Sequence, residues 1–215
     1  MPKAAIIGAT GLVGKRLLKL LLDSDRYDEV HYIGRRRADI DSPKLVQHVM
    51  PLENINTLKL SSRIDDAFCA LGTTIDVAKS ADNFARIDRD LVVSFAAWAI
   101  VNGASAMAVN SSVGANAKSL NLYLKTKGEM EVGVQRAGFN SLTIVRPSLL
   151  VPTGRKESRF GEELSYGLLK LFGWLMIGKA RRYKPVKPLA VAKAMVTGVT
   201  IRKPGVTIIE SDKIA

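Results

Sequence analysis

Glycines recur at three-residue spacing near the start of the chain, at Gly8, Gly11 and Gly14, directly after the apolar run Ala4–Ile7. An apolar helical pattern begins at once and continues to Leu22. This arrangement predicts a strand, a tight turn made possible by Gly8, and a helix that Gly14 lets pack closely. The helix start would present N–H groups and a positive dipole end to a pyrophosphate, which Gly11 would let approach. A plain structural turn is the alternative, since the spacing is not GxGxxG.

The rest of the chain alternates between short apolar segments, which predict strands, and longer segments with helical periodicity. The further strands are expected at 29–33, 44–50, 66–71, 106–109, 142–145 and 206–209, and the further helices at 81–102, 122–136, 164–177 and 189–199. Such alternation implies right-handed crossovers. The predicted fold is therefore α/β, a Rossmann-type doubly wound parallel sheet with helices on both faces. We expect a single domain over residues 1–215, in which residues about 148–200 contribute a small C-terminal lobe on the substrate side.

Three arginines, Arg35, Arg36 and Arg37, follow the predicted second strand. In NAD-preferring folds an acidic residue near this place, about 20 residues past the glycines, binds the ribose 2′-hydroxyl. After the second strand no acidic residue occurs before Asp39, and guanidinium groups bind a 2′-phosphate bidentately. The pattern therefore favours NADP(H) as the cofactor, and a basic surface turn is the alternative.

Candidate catalytic residues are Ser112, Tyr123 and Lys127. Tyr123 and Lys127 are four residues apart on a predicted helix, so both side chains leave the same face. Ser112 follows the fifth predicted strand, and ligands of such sheets bind beyond the carboxyl ends of strands. An ammonium near a phenol lowers the pKa of that phenol, so Tyr123 could exchange a proton with a substrate that Ser112 orients. The alternative is an amphipathic helix with Lys127 in solvent.

Other chemistries lack support in the sequence. His31 and His48 are far apart, with no Cys or carboxylate at metal-ligand spacing, so we expect both to be structural and no metal site. No Gly-x-Ser-x-Gly motif occurs, and the turn at Gly8 lacks the Gly-Lys-Ser/Thr ending of a P-loop. Cys69 lies inside a predicted strand, where a small apolar role fits better than a nucleophilic one.

The formal net charge is +12 and is uneven, with +8 of it carried by residues 151–215. Such an excess can attract nucleic acid or anionic lipid, here through the basic segment 179–187 beside the helix 164–177, or it can serve an anionic cofactor. Solvated surface is the commonest explanation, so a nucleic-acid or membrane partner is not favoured. No apolar run approaches the roughly 18 residues of a membrane span. The single cysteine and the lack of a signal-like start lead us to expect a cytoplasmic protein.

Segments across most of the chain resemble the atypical short-chain dehydrogenases/reductases, and in particular the Tat-interacting-protein-like oxidoreductases. The similar segments are Gly8-x-x-Gly11-x-x-Gly14, Ile33-Gly34-Arg35-Arg36, Cys69-Ala70-Leu71-Gly72-Thr73-Thr74, Ile87-Asp88-Arg89-Asp90, Ser111-Ser112-x-Gly114-Ala115, Tyr123-Leu124-x-x-Lys127-Gly128-Glu129, Arg146-Pro147 and Glu157-Ser158-Arg159-x-Gly161-Glu162. The gap between Ser112 and Tyr123 is shorter than in typical members. No counterpart is evident for the asparagine that completes their proton relay.

The resemblance implies a Rossmann fold that binds NADPH, with Ser112 and Tyr123 at a catalytic centre that transfers hydride to a small carbonyl substrate. The residues implied to bind the cofactor are Gly8, Thr10, Gly11, Leu12, Val13, Arg35, Arg36, Leu71, Gly72, Thr73, Tyr123 and Lys127. Members of this branch also include redox sensors and regulators that bind other proteins. An NADP(H)-binding regulatory protein with little turnover, and a protein partner, therefore stay open, as do a monomer and a homodimer.

Overall fold

The computed structural model describes residues 2–151 and 185–214. Within these residues seven strands form one sheet in the order β3-β2-β1-β4-β5-β6-β7, and every neighbouring pair is parallel. The strands are β1 (Lys3–Ile7), β2 (Glu29–Gly34), β3 (Leu45–Val49), β4 (Asp66–Cys69), β5 (Ala106–Asn110), β6 (Ser141–Arg146) and β7 (Gly205–Glu210). The predicted α/β fold with a parallel Rossmann-type sheet is confirmed.

Helices connect the strands and cover the sheet. They are α1 (Leu12–Asp23), α2 (Ile75–Ala78), α3 (Ala81–Ala85), α4 (Leu91–Val101), α5 (Leu122–Gln135) and α6 (Pro188–Ile201). Short 3-10 turns span Leu52–Thr57 and Ser211–Lys213. In place of the single helix expected over 81–102, α3 leads directly into a π turn at Arg86–Asp90, which leads directly into α4. Within the described residues, none of these helices is both long and apolar enough to cross a membrane.

A hydrophobic core lies on each face of the sheet. Successive strand residues point to opposite faces, so Ala4 and Ile6 of β1 belong to one core and Ala5 and Ile7 to the other. The first core contains apolar residues of α1 and α6, and the second contains those of α4 and α5. Because both faces are covered, the central strands are mostly apolar, and the buried Asp66 at the start of β4 is an exception.

The segment expected to form a C-terminal lobe, residues about 148–200, is described only in part. Its last portion, α6, packs against α1 and against β6 as a layer of the fold. The close approach is possible because Gly198 has no side chain, since a Cβ there would lie 2.5 Å from the Thr143 side chain. The expected loop over 152–161, the helix 164–177 and most of the basic segment 179–187 lie outside the described residues.

The strand order determines where a ligand can bind. Chain connections run from β1 outward to β2 and β3, and then return to β4 on the other side of β1. The space between the loops that follow β1 and β4 is thus the switch point at which parallel sheets of this type bind ligands. All carboxyl ends of the strands lie at this same edge, because the sheet is wholly parallel.

Candidate active site

The three glycines after β1 have different structural roles. Gly8 has φ +77° and packs so closely on the loop after β4 that a Cβ would lie 2.5 Å from the Leu71 backbone nitrogen. A Cβ on Gly14 would overlap the Gly8 carbonyl group, whereas one on Gly11 would lie at an ordinary 3.5 Å from the Gly8 oxygen. Packing within the protein therefore requires glycine at positions 8 and 14 only. At position 11 packing does not exclude a side chain, and a glycine there is consistent with a ligand that approaches the backbone.

The start of α1 fits an anionic group. Its N-cap is Gly11, which has no side chain to bond the first N–H groups, and the first turn contains no acidic residue. Leu12 and Val13 form that turn, and Thr10 is exposed beside it. Free N–H groups together with the positive end of the helix dipole bind a phosphate or pyrophosphate.

A buried tyrosine connects this turn to the arginines after β2. The Tyr32 hydroxyl donates a hydrogen bond to the Arg36 carbonyl oxygen at 2.9 Å and occupies the space that a side chain on Gly34 would need. Burial raises the pKa of Tyr32, against the lowering effects of Arg36, of a hydrogen bond with Thr10 and of Arg35. Arg35 and Arg36 are exposed, and neither forms a salt bridge with another described residue. Sequence reasoning missed Tyr32, although a tyrosine in an apolar strand signals a hydroxyl that needs a partner.

The loop after β4 is held by a buried carboxylate. Leu71, Gly72 and Thr73 follow the strand, and the Thr73 N–H donates to Asp88 Oδ2 at 2.8 Å. Asp88 is fully buried in the π turn between α3 and α4. The sequence offered a signal for this residue, because Asp88 is four residues after Phe84, on the apolar face of the helical pattern. A carboxylate in that position requires a cation or several donors.

The cation is Lys127. Its Nζ lies 2.7 Å from Asp88 Oδ1, and both side chains are buried. Burial lowers the pKa of Lys127, but Asp88 and Tyr123 outweigh it and raise that pKa to about 12, so the ammonium stays charged. A Cβ on Gly72 would lie 3.5 Å from both the ammonium and the carboxylate. The ion pair therefore lies directly beside the loop after β4.

Ser112, Tyr123 and Lys127 come together as the sequence predicts. Tyr123 and Lys127 are both on α5, and Ser112 is buried just beyond β5. A hydrogen bond from Ser112 and the charge of Lys127 each act on the Tyr123 hydroxyl. The Tyr123 ring stacks on Phe84 of α3, with 5.5 Å between ring centroids. The structure thus brings the predicted groups into contact; their catalytic roles stay predictions.

The proton affinity of Tyr123 differs from the sequence expectation. Lys127 does lower the pKa of Tyr123, as expected, and a hydrogen bond from Ser112 lowers it as well. Desolvation of the phenol raises that pKa by more, and the negative charge of Asp88 adds to the increase. The pKa of Tyr123 therefore lies above the ordinary value for tyrosine, and the phenol is protonated at neutral pH.

A second buried network fixes α5 against the sheet. Glu131 accepts hydrogen bonds from Ser111 Oγ at 2.5 Å and from two Arg146 nitrogens at 2.9 and 2.6 Å. Arg146 also donates to Glu210 at 2.9 Å. The two adjacent serines thus have different functions: Ser111 anchors α5, and Ser112 faces Tyr123.

The remaining candidates for chemistry are structural. His31 and His48 do meet, with Nδ1 and Nε2 3.0 Å apart, and His31 Nε2 lies 2.6 Å from Glu29. Even so, no group of three or more ligating side chains suited to a metal occurs within residues 2–151 and 185–214. Cys69 is fully buried, and burial raises the pKa of its thiol to about 12, so it is not a nucleophile.

A doubly wound parallel sheet, a glycine turn at its switch point, and a Ser–Tyr–Lys set beyond β5 define the short-chain dehydrogenase/reductase class of Rossmann proteins. Comparison with known proteins agrees with this assignment. The family model for the semialdehyde dehydrogenase NAD-binding domain matches residues 3–97. The chain is 36% identical to protein HTATIP2 of Rattus norvegicus, over 90% of this chain and 79% of the relative. It is 38% identical to the mitochondrial protein FMP52 of Candida albicans, over 71% of this chain and 69% of the relative.

Solved structures show the same fold at low sequence identity. WbmH of Bordetella bronchiseptica, solved with NAD+, superimposes with a TM-score of 0.70 at 18% identity, over 98% of this chain and 76% of that chain. The human epimerase family protein SDR39U1, solved with NADPH, gives a TM-score of 0.62 at 13% identity, over 99% and 75%. The sequence relatives show the family: the chain belongs to the atypical short-chain dehydrogenases/reductases, in the Tat-interacting-protein-like branch with HTATIP2 and FMP52.

The expected cytoplasmic location was wrong. Fungal relatives from several species are named as mitochondrial proteins. The expectation relied in part on the single cysteine, and the structure explains why that residue is uninformative. A thiol as deeply buried as that of Cys69 is inert in any compartment, so it does not report the redox state around the protein.

Proposed function

We propose that the protein is an NADPH-dependent oxidoreductase that reduces a small carbonyl compound, with Tyr123 as the acid. The observation that carries the proposal is the convergence of Tyr123, Ser112 and Lys127 beside Gly72. Gly72 lies in the loop after β4, and the glycine turn contacts the backbone of the same loop at Gly8. A nucleotide on the glycine turn would thus have its reactive ring within reach of the phenol.

The cofactor proposal depends on two surfaces of the same edge. The start of α1 would bind the pyrophosphate through the N–H groups that Gly11 leaves free. Arg35 and Arg36, exposed and without a salt bridge among the described residues, would bind the 2′-phosphate that distinguishes NADPH from NADH. When bound, NADPH supplies the hydride. Leu71, Gly72 and Thr73 would contact it through their backbone, which Asp88 holds by the Thr73 N–H.

The proposed proton transfer follows from the state of each group. The Ser112 hydroxyl would donate a hydrogen bond to the substrate carbonyl and fix its orientation. Tyr123, protonated at neutral pH, would donate its proton to the same oxygen as negative charge develops there. Lys127 would stabilise the phenolate that results, since its ammonium stays charged inside the protein.

A second candidate function is an NADP(H)-binding regulatory or redox-sensing protein with little turnover. The observation in its favour is the Lys127–Asp88 ion pair, because Lys127 is already bonded by a carboxylate at 2.7 Å. A raised pKa of Tyr123 would also slow proton abstraction from an alcohol. In this case the cofactor would act as a regulatory ligand, and a partner protein would recognise the cofactor-bound form.

The experiment that separates the two is a panel of aldehydes and ketones, monitored by NADPH absorbance, beside a calorimetric NADPH titration. We expect consumption with at least one compound, loss of that consumption by more than about 100-fold in Tyr123→Phe, and NADPH affinity nearly unchanged. Tyr27→Phe is the matched control, since it removes a buried phenol that bonds Asp66, at the opposite edge of the sheet. Unchanged turnover in Tyr123→Phe would reject the mechanism. NADPH binding without consumption of any compound would favour the second candidate.

A further inference from the structure

The carboxylate of Asp88 has two bonds that tie together separate parts of the site. One oxygen pairs with the Lys127 ammonium at 2.7 Å, and the other accepts the Thr73 N–H at 2.8 Å. Asp88 thus connects α5, which carries Tyr123, to the loop after β4. The π turn at Arg86–Asp90 contains this carboxylate, and such turns are frequent at functional sites.

The pairing changes what Lys127 does to its neighbour. A lone ammonium near a phenol stabilises the phenolate, because opposite charges attract strongly where water is excluded. Here a buried carboxylate at ion-pair distance offsets part of that field. Tyr123 therefore experiences less positive charge than a lone ammonium would supply, and desolvation of the phenol has the largest effect on its pKa.

The groups that face Tyr123 come from four elements. Lys127 lies on the same helix, Asp88 in the π turn, and Ser112 beyond β5, and the Phe84 ring of α3 stacks on the phenol. Cys69 of β4 lies near Asp88 and Lys127, but its buried thiol is neutral. Among the described residues, Lys127 and Asp88 are thus the charged groups that act on Tyr123.

We propose that Asp88 is a positioning residue that offsets the charge of Lys127 and so keeps Tyr123 a proton donor. The proposal rests on the proposed function and specifies its direction, which is carbonyl reduction. In that direction the carbonyl carbon accepts the hydride and the oxygen accepts the Tyr123 proton, which yields an alcohol, NADP+ and a phenolate. The phenolate regains its proton from water. Oxidation of an alcohol would need the phenolate first, and so requires alkaline pH.

The test is a titration of Tyr123 by NMR on the full chain labelled with [13Cζ]tyrosine, in which Tyr123→Phe assigns the signal. Asp88→Asn keeps the shape of the side chain and removes its charge. We expect the Tyr123 signal to titrate about one pH unit lower in Asp88→Asn than in the wild type, since the Lys127 charge is no longer offset. If Tyr123 titrates at the same pH or higher in Asp88→Asn, the proposal is overturned. If Asp88 served only the fold, the Tyr123 titration in Asp88→Asn would match that of the wild type.

The double variant Asp88→Asn/Lys127→Gln covers the case in which Asp88→Asn does not fold, because it leaves no buried charge without a partner. If Asp88 offsets the Lys127 charge at the phenol, this variant titrates within about half a unit of the wild type. A rise of more than about one unit would show that Lys127 acts on Tyr123 without an offset, and would overturn the proposal. The titration needs neither cofactor nor substrate. Its failure is therefore distinct from failure of the proposed function, which would appear as lost NADPH binding or turnover.

Discussion

The buried Tyr32 hydroxyl donates a hydrogen bond to the Arg36 carbonyl oxygen at 2.9 Å, and this bond holds the backbone from which the arginines project. The bond is possible because Gly34 has no side chain where the hydroxyl lies. The hydroxyl therefore positions the backbone of the arginines that we propose bind the 2′-phosphate, without contacting the cofactor itself. Tyr32 is thus expected to influence the choice between NADPH and NADH.

Tyr32→Phe should weaken NADPH binding about fivefold, the equivalent of one lost hydrogen bond of about 1 kcal/mol, and leave NADH affinity within about twofold. Calorimetric titration of both nucleotides measures the effect. Tyr27→Phe is the matched control, because the Tyr27 hydroxyl bonds Asp66 at 2.8 Å on the opposite edge of the sheet. That variant should lose stability and keep both affinities. Equal losses for NADPH and NADH in Tyr32→Phe would contradict the coupling.

Substitutions of two glycines should separate stability from binding. Gly11→Ala should keep the free energy of unfolding within about 1 kcal/mol, because the new Cβ would lie 3.5 Å from the Gly8 oxygen. It should weaken NADPH binding about tenfold or more, since the methyl group would face the pyrophosphate. Gly14→Ala should cost about 3 kcal/mol of stability, because its Cβ would overlap the Gly8 carbonyl group. Urea unfolding and NADPH titration measure both, and tight NADPH binding by Gly11→Ala would exclude the proposed pyrophosphate site.

The stability of the fold should fall in mild acid. Burial lowers the pKa of His31, against an opposing effect of Glu29, and burial also lowers the pKa of His48. The unfolded chain therefore binds more protons than the folded protein once the pH drops below about 6.5, the ordinary histidine value. The free energy of unfolding should thus be lower at pH 5.5 than at pH 7.5. His48→Gln should make the free energy of unfolding depend less on pH. A wild-type free energy of unfolding that was equal or higher at pH 5.5 would contradict the role given to the histidines.

The network around Glu131 should matter more than any surface ion pair. Glu131→Gln leaves Arg146 without the carboxylate that accepts two of its hydrogen bonds, and removal of one buried partner costs about 3 kcal/mol. Asp23→Asn breaks the exposed pair with Lys19 and should cost less than about 1 kcal/mol. Urea unfolding of the two variants compares them, and similar losses would mean that the buried network is not a specific anchor of α5.

Local patterns were sufficient to predict most of the fold. The glycine spacing and the apolar periodicity concern residues close in sequence, and they identified the strands, the turn at Gly8 and the helix that carries Tyr123 and Lys127. The four-residue spacing of that pair is itself a local property of a helix. The position of Ser112 followed from the rule that ligands lie beyond the carboxyl ends of parallel strands.

Contacts between distant segments could not be predicted in this way. The π turn around Asp88 accompanies a bond to Lys127, which is 39 residues later in the chain. His31 and His48 meet because of the register in which β2 and β3 pair. His31 lies opposite Val46, so His48, two residues further along β3, is its diagonal neighbour on the same face. The raised pKa of Tyr123 depends on burial and on Asp88, neither of which the Tyr-x-x-x-Lys spacing reveals.

The most direct test of the account is a calorimetric comparison of NADPH and NADH binding to the wild type and to Arg35→Ala/Arg36→Ala. We expect the wild type to prefer NADPH, and the double variant to lose at least about tenfold in NADPH affinity while NADH affinity stays within about twofold, since charge-assisted bonds to the 2′-phosphate are worth about 1.5–3 kcal/mol each. Equal losses for both nucleotides, or a wild-type protein that binds neither, would contradict the assignment of this edge of the sheet as an NADPH site.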